Sequence, residues 1–147
     1  MPDKLIFDVQ KSPGKLYVKF SSTMELIDSA AEDVKIFMGS KNLKKYSFGV
    51  RVVMREGLTN AVRHGNKSDP DKLVRFSITI VNDILTMIIE DEGDGFDWRE
   101  IKALTGKRDA VEVPLDHGRG FPIMEEYFDD YDYNNKGNIL TIKKMIS

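Results

Sequence analysis

The stretch at residues 72–91 decides the fold and reads KLVRFSITIVNDILTMIIED. Two runs rich in β-branched residues flank Asn82–Asp83, a dipeptide typical of two-residue hairpin turns. The pattern therefore predicts two antiparallel strands that are neighbours in a sheet. Because side chains alternate along a strand, one face of the second strand carries Leu85, Met87 and Ile89.

Asp91 is the next residue on that same face. A buried carboxylate without a donor costs several kcal/mol, so either the strand frays and leaves Asp91 solvated, or a partner is provided. Gly93 and Gly95 follow and remove side chains that would keep a flat ligand from the backbone. An adenine amino group that donates to Asp91 satisfies both observations. Ca²⁺ is the rival, but an EF-hand loop starting at Asp91 would need a carboxylate where Lys102 stands.

Upstream, an amphipathic pattern predicts a helix from about Phe48 to Arg63. Its apolar stripe consists of Val50, Val53, Met54, Gly57, Leu58 and Ala61. Residues 56–66 read EGLTNAVRHGN and place Glu56, Asn60 and His64 four apart, along the margin of that stripe. Such a margin is where a helix borders a cleft, although the same row also suits a solvated polar edge.

The chemistry of this row suits a ligand that carries phosphates. Asn60 offers a neutral oxygen, and Mg²⁺ is typically held by one or two protein oxygens together with substrate phosphates. Glu56, one turn earlier, is placed to accept a proton from a hydroxyl or a water near the terminal phosphate. His64 fits either this cleft or a local hydrogen bond at the helix end.

Downstream, Gly118 and Gly120 flank Arg119 just before a second helical pattern at residues 121–131. Free N–H groups at a helix start form a phosphate site, whereas a plain tight turn explains the same glycines. Arg119 suits a bond to a phosphate and exposure to water equally. The preceding segment is long, with at most one helical turn near Trp98–Leu104, and long loops in compact domains are usually functional or disordered.

The remaining patterns complete an α+β fold. Residues 4–20 predict a hairpin, residues 22–40 predict a helix that opens with a Ser/Thr cap, and residues 131–145 predict a hairpin whose NKGN turn suits positive φ. We therefore expect a two-layer α/β sandwich, with a mainly antiparallel mixed sheet and helices on one face. At 147 residues, the chain is expected to form a single domain, 1–147.

Composition argues against several classes of function. A net charge of −2 without a basic block along one face argues against direct binding of nucleic acid or of an anionic membrane. The absence of cysteine removes disulfides, thiol catalysis and thiolate metal sites, and two histidines are too few for a typical structural zinc site. The first residues lack a signal-peptide pattern and no apolar run could span a bilayer, so we expect a soluble cytoplasmic protein.

Three ordered segments, EGLTNAVRHGN, DEGDGF and GRGFPIM, resemble the N, G1 and G2 boxes of the Bergerat-fold (GHKL) ATPase superfamily. The resemblance spans roughly residues 48–130 and is closest to the small stand-alone bacterial branch, the anti-sigma factor serine/threonine-protein kinases. It implies binding of ATP with Mg²⁺ and phosphorylation of a serine or threonine on a small antagonist protein. It also implies sequestration of a sigma factor, commonly by a homodimer.

The resemblance also implies roles for individual residues. Glu56 would be the catalytic base, Asn60 the Mg²⁺ ligand, and Asp91 the adenine contact. The other residues expected around the nucleotide are His64, Asn66, Gly93, Gly95, Phe96, Gly118, Arg119, Gly120 and Phe121. An ATP lid is expected at about residues 97–119.

The chain departs from the family pattern at Gly57, where alanine is common, and at Phe121, where leucine is usual. Three other functions stay open. An ATP-dependent binding module without transfer would leave Glu56 without a role. The catalytic part of a histidine kinase would need a phosphoacceptor in a dimerising helical hairpin, where neither His64 nor His117 lies. The third is slow ATP hydrolysis without a protein acceptor.

Overall fold

The computed structural model describes residues 5–95 and 120–146, without the side chain of Phe121. The predicted lid, the helical turn within it, and the site residues Phe96, Gly118 and Arg119 lie outside the described residues.

One six-stranded sheet forms the first layer of the fold. Its strands are β1 (Phe7–Ser12), β2 (Lys15–Ser21), β3 (Leu73–Val81), β4 (Ile84–Glu90), β5 (Asp130–Tyr133) and β6 (Ile139–Met145). Their order is β1-β2-β3-β4-β6-β5, and every described pairing is antiparallel. The predicted α+β class is confirmed. We expected a mainly antiparallel mixed sheet, and the described sheet is antiparallel at every pairing.

The helices are α1 (Met24–Ser40), α2 (Ser47–Asn60) and α3 (Gly120–Tyr127). The predicted stripe of α2 is buried throughout, and α2 continues into a π turn at Ala61–Gly65, slightly past the predicted end. In α1 the helical spacing of apolar residues predicts a buried stripe of Met24, Ile27, Ala31, Val34 and Met38. All of them are buried except Met24, which is 45% exposed. Thr23 occupies the predicted cap position but makes no capping hydrogen bond with its side chain.

The turn between β3 and β4 fixes the register of that hairpin, and the pairings of the neighbouring strands extend the alignment across the sheet. Asn82 and Asp83 both have positive φ, at 51° and 63°, which is the conformation of the predicted two-residue hairpin turn. The resulting register lines up a row on the helix-facing side of the sheet: Val18, Phe76, Ile89, Leu140 and Tyr133. This row carries the floor of the site described below.

Gly57 brings α2 close to the sheet. A Cβ added at Gly57 would lie 2.5 Å from Ile89 Cδ1 and 3.5 Å from a Leu140 methyl group. Gly57, which departs from the family pattern, therefore leaves room for the Ile89 side chain.

We expect Gly57→Ala to destabilise the fold by about 1 kcal/mol, because overpacking against Ile89 outweighs the gain in helix propensity. Ile89→Val removes the Cδ1 atom, so the double variant should recover most of that loss in a double-mutant cycle followed by urea unfolding. Gly39→Ala is the matched control, since its Cβ would meet nothing within 4 Å and should stabilise α1 slightly. Equal effects of the two glycine substitutions would contradict the close packing.

Candidate functional site

A cavity opens between α2, α3 and the sheet. Its enclosed volume is about 100 Å³, and the empty space rises to about 680 Å³ when the open mouth is included. Its helical wall consists of Gly57, Asn60, Ala61, His64, Gly65 and Met124. Its floor and far wall come from the sheet and its loops, through Ile89, Asp91, Gly95, Tyr133, Gly137, Asn138 and Leu140.

The structure brings together predicted residues from two separate segments. Asn60 and His64 face Asp91 and Gly95 in the walls of the same cavity. Glu56 is half-buried one turn before Asn60 and is not part of the described wall. Its negative charge nevertheless reaches the cavity, because it contributes to raising the pKa of the Tyr133 hydroxyl.

The end of the α2 segment is widened at the cavity. The backbone N–H of Asn66 donates to the carbonyl of Ala61 at 2.8 Å, a bond that spans five residues instead of the usual four. π turns of this kind occur frequently at functional sites. Here the turn carries His64 and Gly65, both of which line the cavity.

Asp91 faces the helices, as strand alternation predicted. The strand does not fray before it, since the Asp91 N–H donates to the Asn138 carbonyl at 3.0 Å. Burial raises the pKa of the carboxyl from 3.8 to about 6, and the Gly93 N–H, which donates to Oδ1 at 2.8 Å, partly opposes that rise. A partly desolvated carboxylate of this kind would be stabilised by a further hydrogen bond donated by a ligand.

This raised pKa predicts a pH-dependent stability. Because the folded-state pKa exceeds the ordinary 3.8, the contribution of Asp91 to stability is complete below pH 3.8 and is lost as pH rises through 6. Asp91→Asn cannot ionise at this position. We therefore expect the free energy of unfolding of this variant, relative to that of the unmodified protein, to rise by about 1 kcal/mol from pH 4 to pH 7.5, after allowing for solvent screening. Urea unfolding at both pH values measures this gain, and a difference that stays constant with pH would contradict it.

Three glycines surround the Asp91 turn. A Cβ on Gly65 would overlap the Asp91 carboxylate, and one on Gly93 would overlap the Gly65 carbonyl. Gly95 has a φ of 82°, and a Cβ there would overlap the Lys136 carbonyl. Gly95 lines the cavity as expected, whereas Gly93 is buried against Gly65, so packing between protein segments explains that glycine.

Asn66, expected beside the nucleotide, lies beneath the cavity. Its side chain is fully buried and hydrogen-bonds to three protein groups. Its position supports a role in holding the site together and does not support direct contact with a ligand.

The C-terminal hairpin contributes wall residues that sequence reasoning missed. Tyr133 ends the helix-facing row of the sheet, and burial, Asp91 and Glu56 raise its pKa, so its hydroxyl stays protonated. Asn138 lines the cavity and donates from Nδ2 to the Asp91 carbonyl at 3.1 Å. Asn134 orders the turn by accepting the N–H groups of Gly137, Asn138 and Ile139. The alternation that located Asp91 could also have placed Tyr133, once its strand was paired with the last one.

Helix α3 closes the remaining side through Met124, which is fully buried. Lys144 anchors the other end of this helix, since its Nζ donates to the Tyr127 carbonyl at 2.6 Å and lies 5.8 Å from the centre of the Phe128 ring. A cation at the C-terminal end of a helix complements its dipole. Gly120, predicted at the phosphates, is the first residue of α3, and Phe121 follows it within that helix.

Within residues 5–95 and 120–146, no group of three or more His, Asp or Glu side chains could hold a metal ion. Nor does any helix in this described part of the chain have the length and hydropathy of a membrane span.

Known proteins share this sequence pattern. Residues 20–144 match the family described as histidine kinase-like ATPase domain. The anti-sigma F factor of Geobacillus sp. (strain WCH70) is 31% identical over 102 residues, which cover 67% of this chain and 68% of that protein. The anti-sigma F factor of Heyndrickxia coagulans is 32% identical over 106 residues, covering 67% and 69%. The serine-protein kinase RsbW of Oceanobacillus iheyensis is 29% identical over 102 residues, covering 67% and 65%. The match spans most of the sheet, α2 and the whole described cavity, so this chain belongs to the histidine kinase-like ATPase domain family.

Proposed function

We propose that this protein binds ATP with Mg²⁺ in the cavity and phosphorylates a serine or threonine on a small antagonist protein. It also sequesters a sigma factor, acts as a homodimer and works in the cytoplasm. The names of the relatives, anti-sigma F factor and serine-protein kinase, support this direction. The observation that carries the proposal is the meeting of Asp91 and Asn60 in one cavity, from segments far apart in the chain.

The chemistry of the cavity fits an adenine nucleotide. Asp91 supplies a partly buried acceptor for the adenine amino group, and the apolar floor of Ile89 and Leu140 suits a flat base. Asn60 would offer a neutral oxygen to Mg²⁺, and the N-terminus of α3, which begins at Gly120, would present its first backbone N–H groups to the phosphates. The metal, when bound, supplies neutralisation of the phosphate charge.

Glu56 is assigned as the base that accepts the proton of the incoming hydroxyl. It lies one helical turn from Asn60, and a base near the metal-bound phosphate is what transfer to a protein hydroxyl requires. His64 borders the same region from the π turn. Positioning of the hydroxyl and charge neutralisation carry most of the rate in such reactions.

A second candidate is an ATP-dependent binding module that transfers no phosphate. The placement of Glu56 outside the described cavity wall favours it, because a base must reach the reacting hydroxyl.

Incubation with γ-labelled ATP and Mg²⁺ tests the proposal, using as acceptors the small proteins encoded beside this chain in its genome. The expected product is an acid-stable phosphoprotein. Acid-labile label would instead indicate a histidine-kinase-like activity, and free phosphate alone would indicate simple hydrolysis. Saturable ATP binding without any transfer would support the binding module.

A further inference from the structure

Asn66 uses every polar atom of its side chain on protein groups. Its Nδ2 donates to Ser22 Oγ at 2.7 Å and to the Leu73 carbonyl at 3.0 Å, and its Oδ1 accepts the Glu92 N–H at 2.7 Å. These partners belong to the connection between β2 and α1, the start of β3 and the turn after β4. A single buried amide therefore joins three segments to the end of the α2 π turn.

The contacts between residues 65–66 and residues 91–93 form a unit that we call the purine clasp. Asn66 holds the Glu92 backbone, while the Gly65 carbonyl packs against Gly93 and the Asp91 carboxylate packs against Gly65. The Glu92 carboxylate accepts the Leu73 N–H, which ties the same turn to β3. The orientation of Asp91 is thus set by its neighbours on both sides.

We propose that Asn66 is a positioning residue that determines base selectivity by fixing Asp91 through the purine clasp. This inference rests on the proposed function, in which Asp91 accepts the adenine amino group. Guanine carries a carbonyl oxygen at the corresponding position, and a carboxylate held in place disfavours it. A carboxylate free to swing away discriminates less, because selectivity of this kind depends on a fixed acceptor that the wrong ligand leaves unpaired.

The amide suits this position because the three partners need two donors and one acceptor without charge. An aspartate would lose both donors and bury a charge, and an alanine would lose all three bonds. Ser22 accepts a hydrogen bond from Asn66 Nδ2 and donates to the Lys72 carbonyl, so its described side-chain hydrogen bonds reach the purine clasp through Asn66 and not through residues 91–93.

The test compares the affinities for Mg·ATP and Mg·GTP by calorimetry in the unmodified protein and in Asn66→Ala. We expect Asn66→Ala to lower the ratio of ATP to GTP affinity about tenfold, as the loss of a well-placed hydrogen bond would. Ser22→Ala is the matched control and should keep the ratio, since the bonds from Asn66 to Leu73 and Glu92 remain. If Asn66 only supports folding, both affinities fall together and the constant ratio overturns the inference.

Glu92→Ala provides a second variant at an exposed side chain, which removes the tie to Leu73 and leaves the Glu92 N–H in place. It should lower the same ratio by about threefold, so the inference stays testable if Asn66→Ala fails to fold. An unchanged ratio in Glu92→Ala would overturn the inference. If the unmodified protein binds neither nucleotide, the proposed function itself fails, which is a different result.

Discussion

Glu56→Gln is expected to lower phosphate transfer to a protein acceptor by about 10²- to 10⁴-fold, the usual contribution of a positioned general base. Glutamine keeps the size and the hydrogen-bonding oxygen of the side chain but cannot accept the proton. ATP affinity should stay about the same, because Glu56 lies outside the described cavity wall. Single-turnover transfer of labelled phosphate, with calorimetry of ATP binding, separates the two effects.

Glu32→Gln on the exposed side of α1 is the matched control and should leave transfer unchanged. Transfer at the original rate in Glu56→Gln would show that another group accepts the proton. A drop in ATP affinity as large as the drop in rate would show that Glu56 supports binding.

Gly65→Ala is expected to weaken ATP binding by about 100-fold or more, because the new methyl group would occupy the space of the Asp91 carboxylate. The carboxylate cannot simply turn aside, since the Gly93 N–H holds its Oδ1 and the Gly65 carbonyl borders Gly93. Gly65 lines the cavity, so the same methyl group would also narrow it.

The loss of ATP affinity in Gly65→Ala should not add to the loss in Asp91→Ala, because both substitutions remove the same interaction between Asp91 and the adenine. A double-mutant cycle of ATP affinities measures this coupling, with Gly39→Ala as a glycine control away from the cavity. Additive losses would show that Gly65 and Asp91 act independently and would contradict the described contact.

The sheet around β3 and β4 could be predicted from sequence because its information is local. Alternating apolar residues gave the strands, and Asn82–Asp83 gave the turn and with it the register. The same alternation placed Asp91 on the helix-facing side. The four-residue spacing of α2 likewise placed Asn60 and His64 in one wall.

The remainder of the cavity depends on contacts between distant segments. Tyr133 and Asn138 line the cavity because β6 pairs with β4, and the residues near them in sequence do not predict that pairing. The need for glycine at 65 and 93 arises where the π turn meets the turn after β4. Asn66 was expected near the ligand because residues 56–66 resemble the N box, yet its buried amide hydrogen-bonds to protein groups.

The central claim is that the cavity holds an adenine nucleotide with its base on Asp91. A crystal structure with Mg²⁺ and a non-hydrolysable ATP analogue tests it most directly. We expect the exocyclic amino group of adenine within about 3 Å of the Asp91 carboxylate, with the metal bound to the Asn60 oxygen. A base located elsewhere on the protein, or a cavity that stays empty at saturating analogue, would contradict the claim.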